Sequence, residues 1–365
     1  MRKISYTGFY GFQNTGDDAF LEVCAWGGAK FWNAKDNVFL GSNLPVLEND
    51  FSSLSPSLIK GDNRIKSFFK ISNSDYFISA GGSTFSDFKS LSLKDVALKI
   101  QKTINPKLEI GAIGVSVGPF KSVEAEKRVE NYLKKMSFLA VRDQKSYDYV
   151  SSLNLPYKPV NAFDLAALLP FVYKDKPKVN ASKKKKVIGI SVCNYETYVG
   201  GDLHNEKRRN DFYINLLKEL PDDDVIYRFF YFNGNKNIGD KKITDYIISK
   251  VNKKNIEIID YQYNVYKSWC LISECDLVVS TRLHASIFAC YANIPFFLVE
   301  YHRKCTDFLD SVGQVKEHRL GDADVPYEKV VLKINEILYD NKSVLPSKIE
   351  ETKEKALLNF TKTIK

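Results

Sequence analysis

Short apolar runs recur along this chain, and each closes on a glycine-rich or polar turn before an amphipathic stretch begins. In the first half the runs are Lys3–Phe9, Tyr76–Ser79, Leu108–Val115 and Phe138–Val141. Their turns are Gly11–Gly16, Gly81-Gly82, Gly118-Pro119 and Arg142-Asp143. A helix is expected from near Asp17, with Asn14 or Thr15 as cap and two acids in its first turn. Asp143 is expected to cap a second, Gln144–Ser152. Strands this apolar, alternating with helical stretches, predict parallel sheets with crossover helices.

The pattern breaks over Pro170–Lys186, which carries Pro177 and the run Lys183–Lys186. It then resumes with strands at Val187–Val192, Val225–Phe232 and Ile256–Asp260 and helices at Glu206–Leu220, Lys241–Val251 and Val265–Glu274. A helix is expected over Tyr327–Tyr339, and a charged helical tail over Ser347–Thr363. The expected organisation is a first domain over 1–170, a linker over 171–186, a second domain over 187–345, and a tail over 346–365 that packs back on the first domain. The expected fold class is α/β, with two Rossmann-like domains facing a central cleft.

The unit Asp276–Tyr301 carries the strongest chemical signal. A strand to Ser280 is followed by Thr281-Arg282-Leu283-His284, an apolar helix to Ala292, and a strand from Pro295. Arg282 and His284 therefore fall where a strand ends and a helix begins. Backbone N–H groups and the helix dipole converge there, which suits an anion. Arg282 adds a permanent forked donor and His284 a group that moves a proton near neutral pH. The structural alternative is that Arg282 salt-bridges the two domains and His284 caps the helix. In a parallel sheet the first-half turns also share one edge, the edge where ligands bind. Asp17 is the better placed of the acid pair, because Gly16 lets the backbone turn sharply beside it. Asp164 reads as a cap or an interdomain link.

Composition narrows the classes. Residues 1–170 hold 21 Lys+Arg against 17 Asp+Glu, and the remainder holds 32 against 27. The net charge of +9 is thus spread evenly, without the concentrated basic face that nucleic acid binding needs. A basic surface still suits peripheral contact with an acidic inner membrane leaflet. The six cysteines form no CxxC or zinc-type Cys/His pair, so no metal site is expected. No signal peptide or apolar run of spanning length is present, so a cytoplasmic chain with reduced thiols is expected. Neither GxGxxG in the right context nor GxxxxGK[ST] occurs.

Taken in order, Asn14-x-Gly16-Asp17-Asp18, Gly81-Gly82-Ser83, Gly114-x-Ser-x-Gly118-Pro119, Val141-Arg142-Asp143-x-x-Ser146, Arg282-x-His284, Pro295 and Tyr301-x-x-Lys304 resemble the polysaccharide pyruvyl transferase family. The resemblance spans residues 4–313. It departs at Ser83, where a third glycine is common, and at Asp18, where Glu is more usual. It implies a GT-B-like fold, phosphoenolpyruvate as donor and a sugar hydroxyl pair, free or lipid-linked, as acceptor. No further cofactor is implied, and the oligomeric state is left open. Donor contacts are expected from Arg282, Leu283, His284, Lys304 and Arg142. Acceptor contacts are expected from Asn14, Gly16, Asp18 and Gly81–Ser83, with His284 and Asp17 as catalytic groups. Two other classes share the sequence features: a GT-B glycosyltransferase using a nucleotide sugar, and a non-catalytic carbohydrate-binding relative.

Overall fold

The computed structural model describes residues 2–56, 61–87, 92–174, 185–340 and 342–364. The chain forms two compact units, the first from 1–12, 17–174 and 350–365, the second from 13–16 and 175–349.

The first unit holds β1 (Arg2–Thr7), β2 (Ala34–Phe39), β3 (Ser52–Ser53), β4 (Tyr76–Ala80), β5 (Glu109–Val115), β6 (Phe138–Val141) and β7 (Val160–Asn161). They pair in parallel in the order β3-β2-β1-β4-β5-β6-β7. In register, Ile4 of β1 lies between Asn37 of β2 and Tyr76 of β4. Every residue of β6 is buried, as its unbroken apolar run dictates. β2 escapes the apolar-run signal because only its last three residues are buried. The helix expected near Asp17 begins at Thr15 and runs to Trp32. Asp143 caps Gln144–Ser151 by accepting the Ser146 N–H at 2.8 Å.

The tail helix Ile349–Thr361 packs within this first unit. The Trp32 indole donates to the Phe360 carbonyl at 2.9 Å, and the two rings lie 4.9 Å apart. Buried Asn359 accepts the Gly114 N–H at 2.7 Å and donates to the Phe163 carbonyl at 2.8 Å. Gly27 admits the Phe360 ring, since a Cβ there would lie 2.3 Å from it.

The second unit holds β8 (Lys186–Ser191), β9 (Val225–Phe230), β10 (Ile256–Ile259), β11 (Leu277–Ser280), β12 (Phe296–Val299) and β13 (Arg319–Leu320). All pair in parallel, in the order β10-β9-β8-β11-β12-β13. Both sheets reverse direction of growth beside their first strand, at β1/β4 and at β8/β11. A parallel sheet opens a crevice at such a point.

The segment between the sheets differs from the expected linker. Pro170 lies in the helix Leu169–Val172, and Lys186 opens β8. Lys183 and Lys184 lie outside the described residues. More unexpectedly, Gln13–Gly16 joins the second unit. The Thr15 N–H donates to the Phe232 carbonyl at 2.9 Å, the Gly234 N–H donates to the Gln13 carbonyl at 2.8 Å, and Asn14 bridges Asn233.

Candidate functional site

The second unit's switch point is built from the ends of β8 and β11. The helix Leu283–Tyr291 follows β11 and is apolar on all sides; eight of its nine residues are buried. His284 is the exception and is half-buried. The turn ahead of the helix is fixed from below. The Ser280 hydroxyl donates to the Arg282 carbonyl at 3.1 Å and lies 2.8 Å from that of Ser286. The Thr281 hydroxyl donates to that of Tyr213 at 3.1 Å. Arg282 occupies the cap position, and its own side chain makes no capping hydrogen bond. The first N–H groups of a helix have no intrahelical partner, so an anion is a natural occupant of such a turn.

The Arg282 guanidinium gives Nε and Nη2 to one oxygen of Asp240, at 2.8 and 2.5 Å. The other Asp240 oxygen accepts the Asn233 N–H at 2.8 Å. Burial pushes the Asp240 carboxyl up, while Arg282 and the backbone N–H groups hold it down. Burial also works against the Arg282 charge, but Asp240 outweighs it and the guanidinium stays ionised. Arg282 is thus paired inside its own unit rather than across domains.

Two more cations of this unit meet at the Tyr301 ring. Arg209, 3% exposed, pairs with Glu196 at 2.9 Å and with Asp322. Its guanidinium lies 5.5 Å from the Tyr301 ring. The Lys304 ammonium lies 5.5 Å from Tyr301 and 5.9 Å from Tyr195, whose rings are 4.8 Å apart. Lys304 is oriented by a cap: its N–H donates to His302 Nδ1 at 3.1 Å. Burial pushes the Cys193 thiol up, and the fields of Arg282, Asp240, Lys304 and Arg209 all reach it.

Gly16 lies against this site. A Cβ built there would come within 2.1 Å of His284 Nδ1, so only glycine lets the imidazole stand where it does. Asn14 shapes the same turn by accepting the Gly16 N–H at 3.2 Å. Asn14 and Gly16, expected with the acceptor in the first domain, are therefore placed in the second unit, Gly16 beside His284.

The first unit's switch point gathers the remaining candidates. Gly81 and Gly82 both have positive φ, 72° and 74°. Phe20 fills the space a Gly81 side chain would need, at 2.2 Å. Asp17 Oδ1 lies 3.8 Å from a Cβ built on Gly82. Ser83 is exposed and accepts from Arg142 at 3.4 Å. Arg142 also bonds Ser116 at 2.8 Å and pairs with Asp164 at 2.7 Å. Arg142 thus belongs with the first unit's turns, and Asp164 both holds it and caps its own short helix through the Ala166 N–H. Asp18, beside Asp17 in the chain, is 1% exposed.

The family model for polysaccharide pyruvyl transferases matches residues 14–303. The chain belongs to the polysaccharide pyruvyl transferase family. No curated protein matches it. Solved structures share the fold at low identity. The UDP-N-acetylglucosamine 2-epimerase from Neisseria meningitidis, solved with UDP-GlcNAc, aligns with TM-score 0.59 and 12% identity over 99% of this chain and 100% of its own. The epimerase from Methanocaldococcus jannaschii gives 0.60 and 13%, over 97% of each chain. An Anabaena protein solved with UDP and glucose gives 0.58 and 11%, over 99% and 98%. This pyruvyl transferase family member therefore has the GT-B-like α/β class, with two Rossmann-like units.

Sequence reasoning did not find four residues of this family member's site. Asp240 had a local signal, since it follows Gly239 and precedes the helix Lys241–Ser249. Tyr195, Arg209 and Cys193 had none, because what they touch lies far along the chain. Among the described residues no group of three or more His, Cys, Asp or Glu is arranged to hold a metal ion.

Proposed function

We propose that this chain transfers the enolpyruvyl group of phosphoenolpyruvate to two hydroxyls of a sugar in a glycan precursor, forming a cyclic ketal. The observation that carries the reading is the helix N-terminus at Arg282, where the Arg282 side chain makes no cap and its guanidinium is fixed by Asp240, in a member of this family. Phosphoenolpyruvate presents a carboxylate and a phosphate, so its site needs fixed cations and N–H donors. In this reading Arg282, Lys304 and the N–H groups from Leu283 onward bind the donor. His284 delivers the proton to the enol carbon or stabilises the phosphate.

The atoms balance as follows. One proton goes to C3, making a methyl group and a cationic C2. One sugar hydroxyl adds to C2, the C2–O bond to phosphate breaks, and the second hydroxyl closes the ring. Of the two hydroxyl protons lost, one is matched by the new methyl and the other leaves with phosphate. Asp17, with Gly81–Ser83 and Arg142 around it, is the proposed acceptor side, and Asp17 orients or deprotonates the sugar.

Incubation with phosphoenolpyruvate and a panel of galactosides, free and lipid-linked, should give inorganic phosphate and an acceptor heavier by one pyruvyl ketal. Thermal stability should rise with phosphoenolpyruvate, because a ligand stabilises the state it binds. Stabilisation by UDP or UDP-sugars alone, with no phosphate release, would favour the nucleotide-sugar reading and sink this one. Sugar binding with no turnover of either donor would favour a non-catalytic relative.

A further inference from the structure

The helix Asp62–Ser72, in the first unit, turns Ser67 and Ile71 into the core. Its outer face carries Ile65, Phe68 and Phe69, which are 61%, 36% and 60% exposed. At spacings i, i+3 and i+4 these side chains form one apolar stripe. Helical spacing places Arg64 on one flank of the stripe and Lys66 and Lys70 on the other. The end of the helix is tied to the neighbouring loop, where Asn105 donates to the Ser72 carbonyl at 3.2 Å. A groove of about 470 Å³ runs along the lysine flank, lined by Lys3, Lys66 and Lys70, with Phe69 at its edge. Its one carboxylate, Asp36, already accepts the Ser52 hydroxyl at 2.7 Å. Asp62, the helix's own acid, is paired with Lys66 at 2.6 Å.

We propose that this helix seats the protein on an anionic phospholipid leaflet, lying in the interfacial plane. Ile65, Phe68 and Phe69 enter the boundary between headgroups and acyl chains. Arg64 and Lys70 meet lipid phosphates, and Lys3 and Lys70 hold a headgroup phosphate in the groove, whose third lysine, Lys66, is held by Asp62 and by the Ser55 and Pro56 carbonyls. Charge complementarity selects this occupant: an exposed apolar stripe with cations on both flanks is the pattern of interfacial helices. The chain's overall charge of +9 adds a general attraction to the same surface. No described helix is long and apolar enough to cross a bilayer, so contact of this kind is peripheral. The proposal does not depend on which donor the enzyme uses.

The test is flotation of the full chain with vesicles of phosphatidylcholine alone or mixed with phosphatidylglycerol. Binding is expected only with phosphatidylglycerol, and raised salt should release it. Phe68→Glu with Phe69→Glu should weaken binding by about tenfold or more. Lys3→Ala with Lys70→Ala should weaken it by about tenfold. Both variants should melt like the parent, as the altered side chains are at the surface. A Phe69→Trp variant should gain fluorescence quenching by brominated lipid over the parent. Equal binding to phosphatidylcholine, no binding, or quenching no greater than the parent's in the Phe69→Trp variant would overturn the proposal. So would a dimer that dissolves in the Phe69→Glu variant, which would make a second copy the occupant.

Discussion

Arg282 is the proposed donor contact, and it is half of a built ion pair. Two of its nitrogens grip one oxygen of buried Asp240, so the fork is aimed before any ligand arrives. Lys at this position keeps the charge and loses the planar geometry. Arg282→Lys should therefore lower kcat/KM for phosphoenolpyruvate by about 100-fold, about 2.7 kcal/mol, with the fold intact by circular dichroism. Near-normal kinetics would remove Arg282 from the donor site. Gly16 makes a different demand, because its missing Cβ leaves room for the His284 ring. Gly16→Ala should cut activity sharply and add little further loss in a His284→Ala background. Such non-additivity, read from a double-mutant cycle, separates a positioning role from general damage.

At the scale of elements, the tail helix Ile349–Thr361 completes the first unit's core rather than trailing from it. Asn359 is fully buried and satisfies a Gly114 N–H and a Phe163 carbonyl that no water reaches. Asn359→Ala leaves both unpaired and should cost about 2–3 kcal/mol in urea denaturation. An unchanged midpoint would mean that the helix contributes little. The charged residues of this tail were legible as helix, but the particular groove that takes it was not, because Phe360 fits only where Gly27 leaves a gap. The acid-pair helix shows the same division. Its caps and acids were readable from Asn14 to Asp18, yet its first residues dock on Phe232 and Asn233 through backbone bonds that no side-chain pattern encodes.

At the scale of the molecule, a buried histidine ties stability to pH. His318 is 3% exposed, and its ring lies 4.6 Å from that of Phe297. Burial pushes its pKa down to about 4, with Lys333 adding to the shift and Glu317 opposing it. A base depressed in the folded state binds its proton more readily when unfolded. Its stabilising effect is present above the unfolded value near 6.5 and is lost as pH falls toward the folded value. Stability should thus drop by about 2 kcal/mol between pH 7 and pH 5 from this group alone. His302, also lowered by burial and then by Lys304, acts in the same direction. His318→Phe should flatten the slope in a urea series across that range; an equally steep slope would clear His318 of the role.

The sequence alone determined what is local. Unbroken apolar runs made buried strands, glycine and Asx turns ended them, and Arg282-Leu283-His284 fell at a strand-to-helix turn because those signals act within a few residues. The ordered motifs were enough to place the family. Tertiary structure decided what depends on distant partners. Strand order, and with it the two switch points, follows from where crossover helices deliver each strand. Asp240 reaches Arg282 across 42 residues, and Asp322 reaches Arg209 across 113. Gln13–Gly16 joins the second unit through backbone hydrogen bonds, a bond from the Gln13 side chain to Tyr263, and the room Gly16 leaves for His284, all with partners far along the chain. A periodic pattern records which face a residue buries; it does not record which partner waits there.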